Sequence, residues 1–223
     1  MNRDIRAIVQ IKKYSEFFNL LVVVFAIVLM MVIGVVINAN DPLDPGEMRE
    51  MLLFGVGGAY LGTNLFFKIF FIADEVPKGL SFGMTRKKLF VGLRIVDFLE
   101  LVIVTVLALI FIAEADASVI LKTAVCLYGL FMWIEGLAGN NVVRYGKSVF
   151  WIYYIIFMFV CIGLPRITHV FPESATPFVM IFDFFTNSFF NQGIVWAALV
   201  VFVLAGIFVN WLTFRKLAVN YTI

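Results

Sequence analysis

Asp97 and Glu100 lie three residues apart near the start of one apolar stretch, and Glu135 closes another, with Asn140 and Asn141 just beyond it. Carboxylates inside apolar segments are the groups from which proton relays and cation paths are built. A relay needs acids near mid-membrane, however, and these three fall at the ends of their stretches, where headgroups are close. A charge at a helix centre costs about 2.5–3.5 kcal/mol on insertion scales, and an end position avoids most of that cost. Of the three, Glu135 is the strongest pathway candidate, because the two asparagines extend its polarity toward one mouth. Asn64, near the middle of another stretch, joins Glu135 and Asn140 as candidate pathway residues. Its simpler use is a hydrogen bond to a neighbouring helix.

Other chemistries lack their residues. No His-Glu-x-x-His, Cys-x-x-Cys or Gly-x-Ser-x-Gly occurs. The run Asn141-Val-Val-Arg-Tyr-Gly146-Lys147-Ser148 is one glycine short of a phosphate-binding loop. It also joins two apolar stretches, whereas that loop needs a strand before it and a helix after it. His169 is the sole histidine and cannot build a metal site alone. Cys126 and Cys161 both fall inside apolar runs, where cysteine acts as a small hydrophobe. The sequence predicts no catalytic residues, no metal and no cofactor held by this chain.

The elements that position these residues are membrane spans. The chain of 223 residues is 63% hydrophobic and 14% charged, against about 25% charged in soluble domains. A net charge of +2 with no concentrated basic face excludes nucleic acid as a partner. About 20 apolar residues cross a bilayer as a helix. Six stretches approach that length: 18–37, 52–72, 95–113, 119–138, 148–164 and 193–214. The expected fold is all-α, a single transmembrane domain over 1–223 embedded in membrane lipid. Thirteen of the 17 Lys and Arg residues fall on one side of these spans and three on the other, with Lys68 placed to snorkel toward the first. Both termini are therefore expected in the cytoplasm, with Asp41, Asp44, Glu47, Glu50, Glu114, Asp116, Glu173 and Asp183 outside.

Between the spans, 38–51 carries the turn-rich Asp-Pro-Leu-Asp-Pro-Gly, and 114–118 is a tight turn. The long outer connection 165–192 contains an apolar run after Pro177 that is too short to span. It reads as an interfacial or re-entrant helix. Before the first span, 1–17 reads as an amphipathic helix along the inner surface, with Arg3, Arg6, Gln10 and Lys13 on one face. Trp151, Tyr153 and Tyr154 suit the inner boundary, and Phe184, Phe185, Phe189 and Phe190 the outer one. In the second span, Gly58 and Gly62 are four apart, as are Gly55 and Ala59. That spacing lets helices approach closely, within the chain or against a partner subunit.

The cytoplasmic segment 80–92 reads Leu-Ser-Phe-Gly-Met-Thr-Arg-Lys-Lys-Leu-Phe-Val-Gly. Glycines at 79, 83 and 92 frame it, and apolar residues flank its charges, as in a short amphipathic helix that docks another protein. With the amphipathic N-terminal segment, the half-inserted outer segment and the basic tail Arg215-Lys216, this loop makes the chain resemble the membrane subunits of ABC exporters of the type-2 permease family. The resemblance covers nearly the whole chain. It implies an ATP-driven exporter in which two such subunits, identical or related, pair in a bacterial cell membrane. It also implies that two copies of a separate ATPase subunit hold ATP and Mg, so this chain is not itself the enzyme. By resemblance Gly83, Met84, Thr85, Arg86, Lys87, Lys88, Leu89 and Phe90 couple to that ATPase. Peptides, lipids and drugs are among the family's substrates. An ion-coupled secondary transporter and a non-transporting partner, such as an immunity subunit, are the competing expectations.

Overall fold

The computed structural model describes residues 3–37, 44–112, 116–187 and 189–217, all in helices and short connections. Residues 38–43 and 113–115, on which the first two expected outer loops fall, lie outside them. The described residues form two compact units, one within 3–112 and one within 116–217.

In the first unit, α1 runs unbroken over Arg3–Ile37. The surface helix expected over 1–17 is therefore not set apart from the first span: no glycine or proline occurs before Gly34 to interrupt it. Asp44 caps α2 (Pro45–Gly62), its carboxylate accepting from the Gly46 N–H at 3.2 Å, with Pro45 in the first turn. A π-turn, Thr63–Phe67, joins α2 to α3 (Lys68–Ser81) without a break. Gly83, at φ +73°, reverses the chain, and Thr85 caps α4 (Arg86–Phe111). α1 packs against α2, α3 and α4. The close approaches are at glycines: Gly55 against Met30, Gly79 against Leu89, and Gly92 against Ile8.

In the second unit, Asp116 caps α5 (Ala117–Ile134), which continues through a π-turn, Glu135–Gly139, into α6 (Asn140–Tyr145). Gly146, at φ +78°, admits the turn into α7 (Lys147–Met158). A third π-turn, Phe159–Gly163, leads to α8 (Leu164–Val170). After a short 3₁₀ turn, the apolar run expected after Pro177 forms α9 (Thr176–Thr186). α10 (Gln192–Phe214) then packs along α5 and its π-turn. Gly129 and Gly206 let the two helices close on Phe202, Met132 and Trp133, and the Trp133 indole donates to the Phe202 carbonyl at 3.2 Å.

Five helical stretches are long and apolar enough to cross a membrane: Arg3–Val36, Gly46–Ser81, Ala117–Tyr145, Lys147–Val170 and Gln192–Phe214. Their exposed surfaces are largely apolar, and α7 buries no residue at all. Such faces suit lipid rather than water. The remaining expected span, 95–113, falls on α4, where Arg94, Asp97 and Glu100 shorten the apolar run.

Candidate functional site

The first unit gathers its polar residues from three helical stretches into one buried centre. α1 supplies Lys12, Ser15, Glu16 and Asn19, three and four residues apart and so on one face. The π-turn and α3 supply Asn64, Lys68 and Glu75; α4 supplies Arg94, Asp97 and Glu100. Asp97 is the hub and is 2% exposed. Lys12 Nζ lies 3.0 Å and Lys68 Nζ 3.1 Å from its Oδ1, while an Arg94 guanidinium nitrogen lies 3.3 Å from Oδ2. Lys12 also lies 3.3 Å from Glu75 Oε2, and the Ser15 hydroxyl donates to Glu75 Oε1 at 2.6 Å. Lys68 donates to Asn64 Oδ1 at 3.4 Å, and Asn19 Nδ2 to Glu100 Oε1 at 3.2 Å. Beside them is a cavity of about 10 Å³, room for roughly one water, bordered by Glu16, Asn19, Asn64, Lys68 and Glu100.

This arrangement revises the sequence reading of several residues. Lys68 does not snorkel, and Asp97 is not spent on headgroups: both are sealed within the unit and paired. Burying a charge is costly unless partners compensate it, so each member holds the others in place. Asn64 bonds within its own helical stretch rather than to a neighbouring helix: it accepts from Lys68 in the next turn and donates to the Tyr60 carbonyl at 3.1 Å. The signal for the cluster was the pairing of polar stripes: 12, 15, 16 and 19 on one helix, 64 and 68 on the second, 94, 97 and 100 on the third. Each is legible alone, but their meeting is not.

The basic segment lies at one end of the same unit. Arg86–Phe90 are the first turns of α4 rather than a separate short helix, and the connection from α3 is only Phe82–Thr85. Thr85 is a strong N-cap residue and nothing breaks the helix after it, which is why the basic run merges with the span. Arg86, Lys87 and Lys88 are exposed, with Lys88 2.8 Å from Asp4 of α1. Met84, Leu89 and Phe90 are buried beneath them. Among the small residues of α2, Gly55 packs on Met30 and Ala59 is half-buried. A Cβ on Gly58 or Gly62 would meet nothing within 4 Å.

In the second unit, two of the three candidate pathway residues do come together. Asn140 Nδ2 donates to Asn210 Oδ1 at 2.8 Å and to the Thr213 hydroxyl at 2.9 Å. Asn210 Nδ2 in turn donates to Glu135 Oε2 at 3.1 Å. The chain of donors thus runs from α6 through α10 to the carboxylate, which is 1% exposed. Asn210 is the member the sequence reading missed; it sits in an apolar run with no periodic partner to announce it. Asn141 bonds back to the Leu137 carbonyl on the surface. Elsewhere, Lys122 of α5 is 2% exposed and donates to the Phe185 carbonyl at 2.9 Å, closing the C-terminal end of α9. Among the described residues no group of His, Cys, Asp and Glu could hold a metal ion.

Both polar centres use a π-turn. Asn64 lies within one and Lys68 follows it; Glu135 opens another and Asn140 follows that. π-turns cluster at functional positions because they break the even rotation of side chains along a helix.

The fold is that of an all-helical, multi-pass membrane protein with two buried polar centres. Comparison with models of known protein families, with curated proteins and with solved structures finds no match.

Proposed function

We propose that the chain is the membrane-spanning subunit of an ABC exporter, crossing the bilayer six times with both termini in the cytoplasm and forming half of a translocation path. The observation that carries this reading is the basic start of α4, exposed at its tip and rigidly seated behind it. Arg86 and Lys87, beside the exposed Lys88–Asp4 pair, present positive charge to a partner. One turn further in, Leu89 is packed on Gly79 of α3, and Gly92 on Ile8 of α1. Beyond these contacts Asp97 ties α4 to Lys12 and Lys68. A push on the tip therefore reaches three helical stretches through contacts with little slack, which is what an input from an ATPase requires. Gly83–Phe90 is the coupling element, ATP and Mg belong to the partner, and a second permease subunit completes the path.

In the triple variant Arg86→Ala, Lys87→Ala, Lys88→Ala, an ATPase subunit that co-purifies with the wild-type chain in mild detergent is lost, and partner-driven transport falls at least tenfold. The spans stay folded, because all three side chains are exposed. Retention of the ATPase together with undiminished transport would refute the assignment. A second reading, an ion-coupled transporter, is favoured by the four buried charges around Asp97: Lys12, Lys68, Glu75 and Arg94. Transport that follows an ion gradient with no ATPase present would select it.

A further inference from the structure

Asn19 has one polar atom without a match. Its Nδ2 donates to Glu100 Oε1, while its Oδ1 is buried with no hydrogen-bond donor among the described residues. A carboxamide facing a carboxylic acid makes two antiparallel bonds, amide N–H to acid oxygen and acid O–H to amide oxygen. A carboxylate, which only accepts, makes just the first. Here the first bond exists and the acceptor of the second stands open.

The charges point the same way. From α1, α3 and α4 come three cations, Lys12, Lys68 and Arg94, and four acids, Glu16, Glu75, Asp97 and Glu100. Tyr60 of α2, a buried phenol, also lies near Asp97, Glu16 and Glu100. An unmatched charge in a low-dielectric interior is costly, and one proton restores balance.

We propose that Glu100 holds that proton and donates it to Asn19 Oδ1, so that this cavity is a proton-binding site. The bond pair joins α1 to α4. Releasing the proton removes one bond and leaves the cluster with a surplus negative charge, which loosens that joint. The water-sized space beside Glu16 and Glu100 has room for one water that can exchange the proton with the acid. The site stands whether or not the chain couples to an ATPase.

Infrared spectroscopy of the full-length protein at neutral pH, before and after exchange into heavy water, tests it. The expected result is an exchange-sensitive band from a protonated carboxyl, reduced by one group in Glu100→Gln and unchanged in Asp183→Asn, a surface control. In Asn19→Leu the band persists but shifts, since its acceptor is gone. Glu100→Gln, a neutral mimic of the protonated acid, melts no lower than wild type. A wild-type spectrum without such a band would overturn the proposal, as would a band that survives Glu100→Gln. Loss of the band in Glu16→Gln instead would place the proton on the other acid and overturn the assignment to Glu100.

Discussion

Asp97→Asn loses about 3–5 kcal/mol of folding stability, the usual cost of removing one side of a buried ion pair. The cost is at the high end because the carboxylate is shared. Lys12, Lys68 and Arg94 all converge on it, and the buried acid left beside Lys12 is Glu75. A native domain has only about 5–15 kcal/mol in hand, so the variant should unfold tens of degrees earlier or fail to accumulate. The size of the amide is nearly that of the acid, so packing does not explain the loss. Adding Lys68→Met to Asp97→Asn removes one stranded cation and should recover part of the stability. Asp74→Asn, which breaks the exposed pair with Lys78, should change little. Unfolding midpoints of these variants in one mild detergent decide the matter. If Asp97→Asn and Asp74→Asn melt together, the cluster does not hold the unit.

Gly136→Leu should be nearly as damaging, for a steric reason. A Cβ at this position would stand 2.9 Å from the Asn210 Cα and 3.0 Å from its backbone nitrogen. Backbone atoms of α10 cannot swing aside as a side chain can, so the π-turn Glu135–Gly139 and α10 must part. Overpacking alone costs about 1–3 kcal/mol, and separation also strains the bond from Asn210 to Glu135. Alanine at 136 should show the same effect at smaller size. Gly57→Ala is the control: a Cβ there meets nothing within 4 Å, and alanine is the better helix former by about 0.5–1 kcal/mol. Gly57→Ala should thus be neutral or stabilising in the same melting assay. Equal loss at both positions would mean that helix propensity, not the crossing, sets the stability.

Much of the architecture was legible because lipid imposes a simple demand on sequence: long apolar runs that satisfy their own backbone. Expected stretches 18–37, 119–138 and 193–214 fall inside the observed helices, and the short apolar run after Pro177 forms α9. Boundaries toward the basic side were less legible. A helix does not stop where its hydrophobicity does, so α1 reaches back to Arg3 and α4 starts at Arg86. The charged centre was harder still. Lys68 and Asp97 each had a local explanation, as snorkelling lysine and headgroup contact. Only three-dimensional packing sets these explanations aside. Glu135 and Asn140 were found through their closeness in sequence, but Asn210 lies seventy residues further on and is joined to Asn140 through the pairing of α5 and α6 with α10.

Thr63–Phe67 can also be regarded as an insertion preserved inside a helix. A π-turn holds one residue more than an α-turn, so the chain on its two sides is out of phase by about 100°, one residue's share of a 3.6-residue turn. The phase on one side puts Gly55 on Met30; the phase on the other puts Lys68 on Asp97. A chain shorter by one residue here would straighten and slide by about 1.5 Å, and it could keep one of those contacts but not both. Length, rather than composition, is what this stretch can least vary: drift by substitution is open to most of its positions, while a single deletion would uncouple α2 from the charged centre.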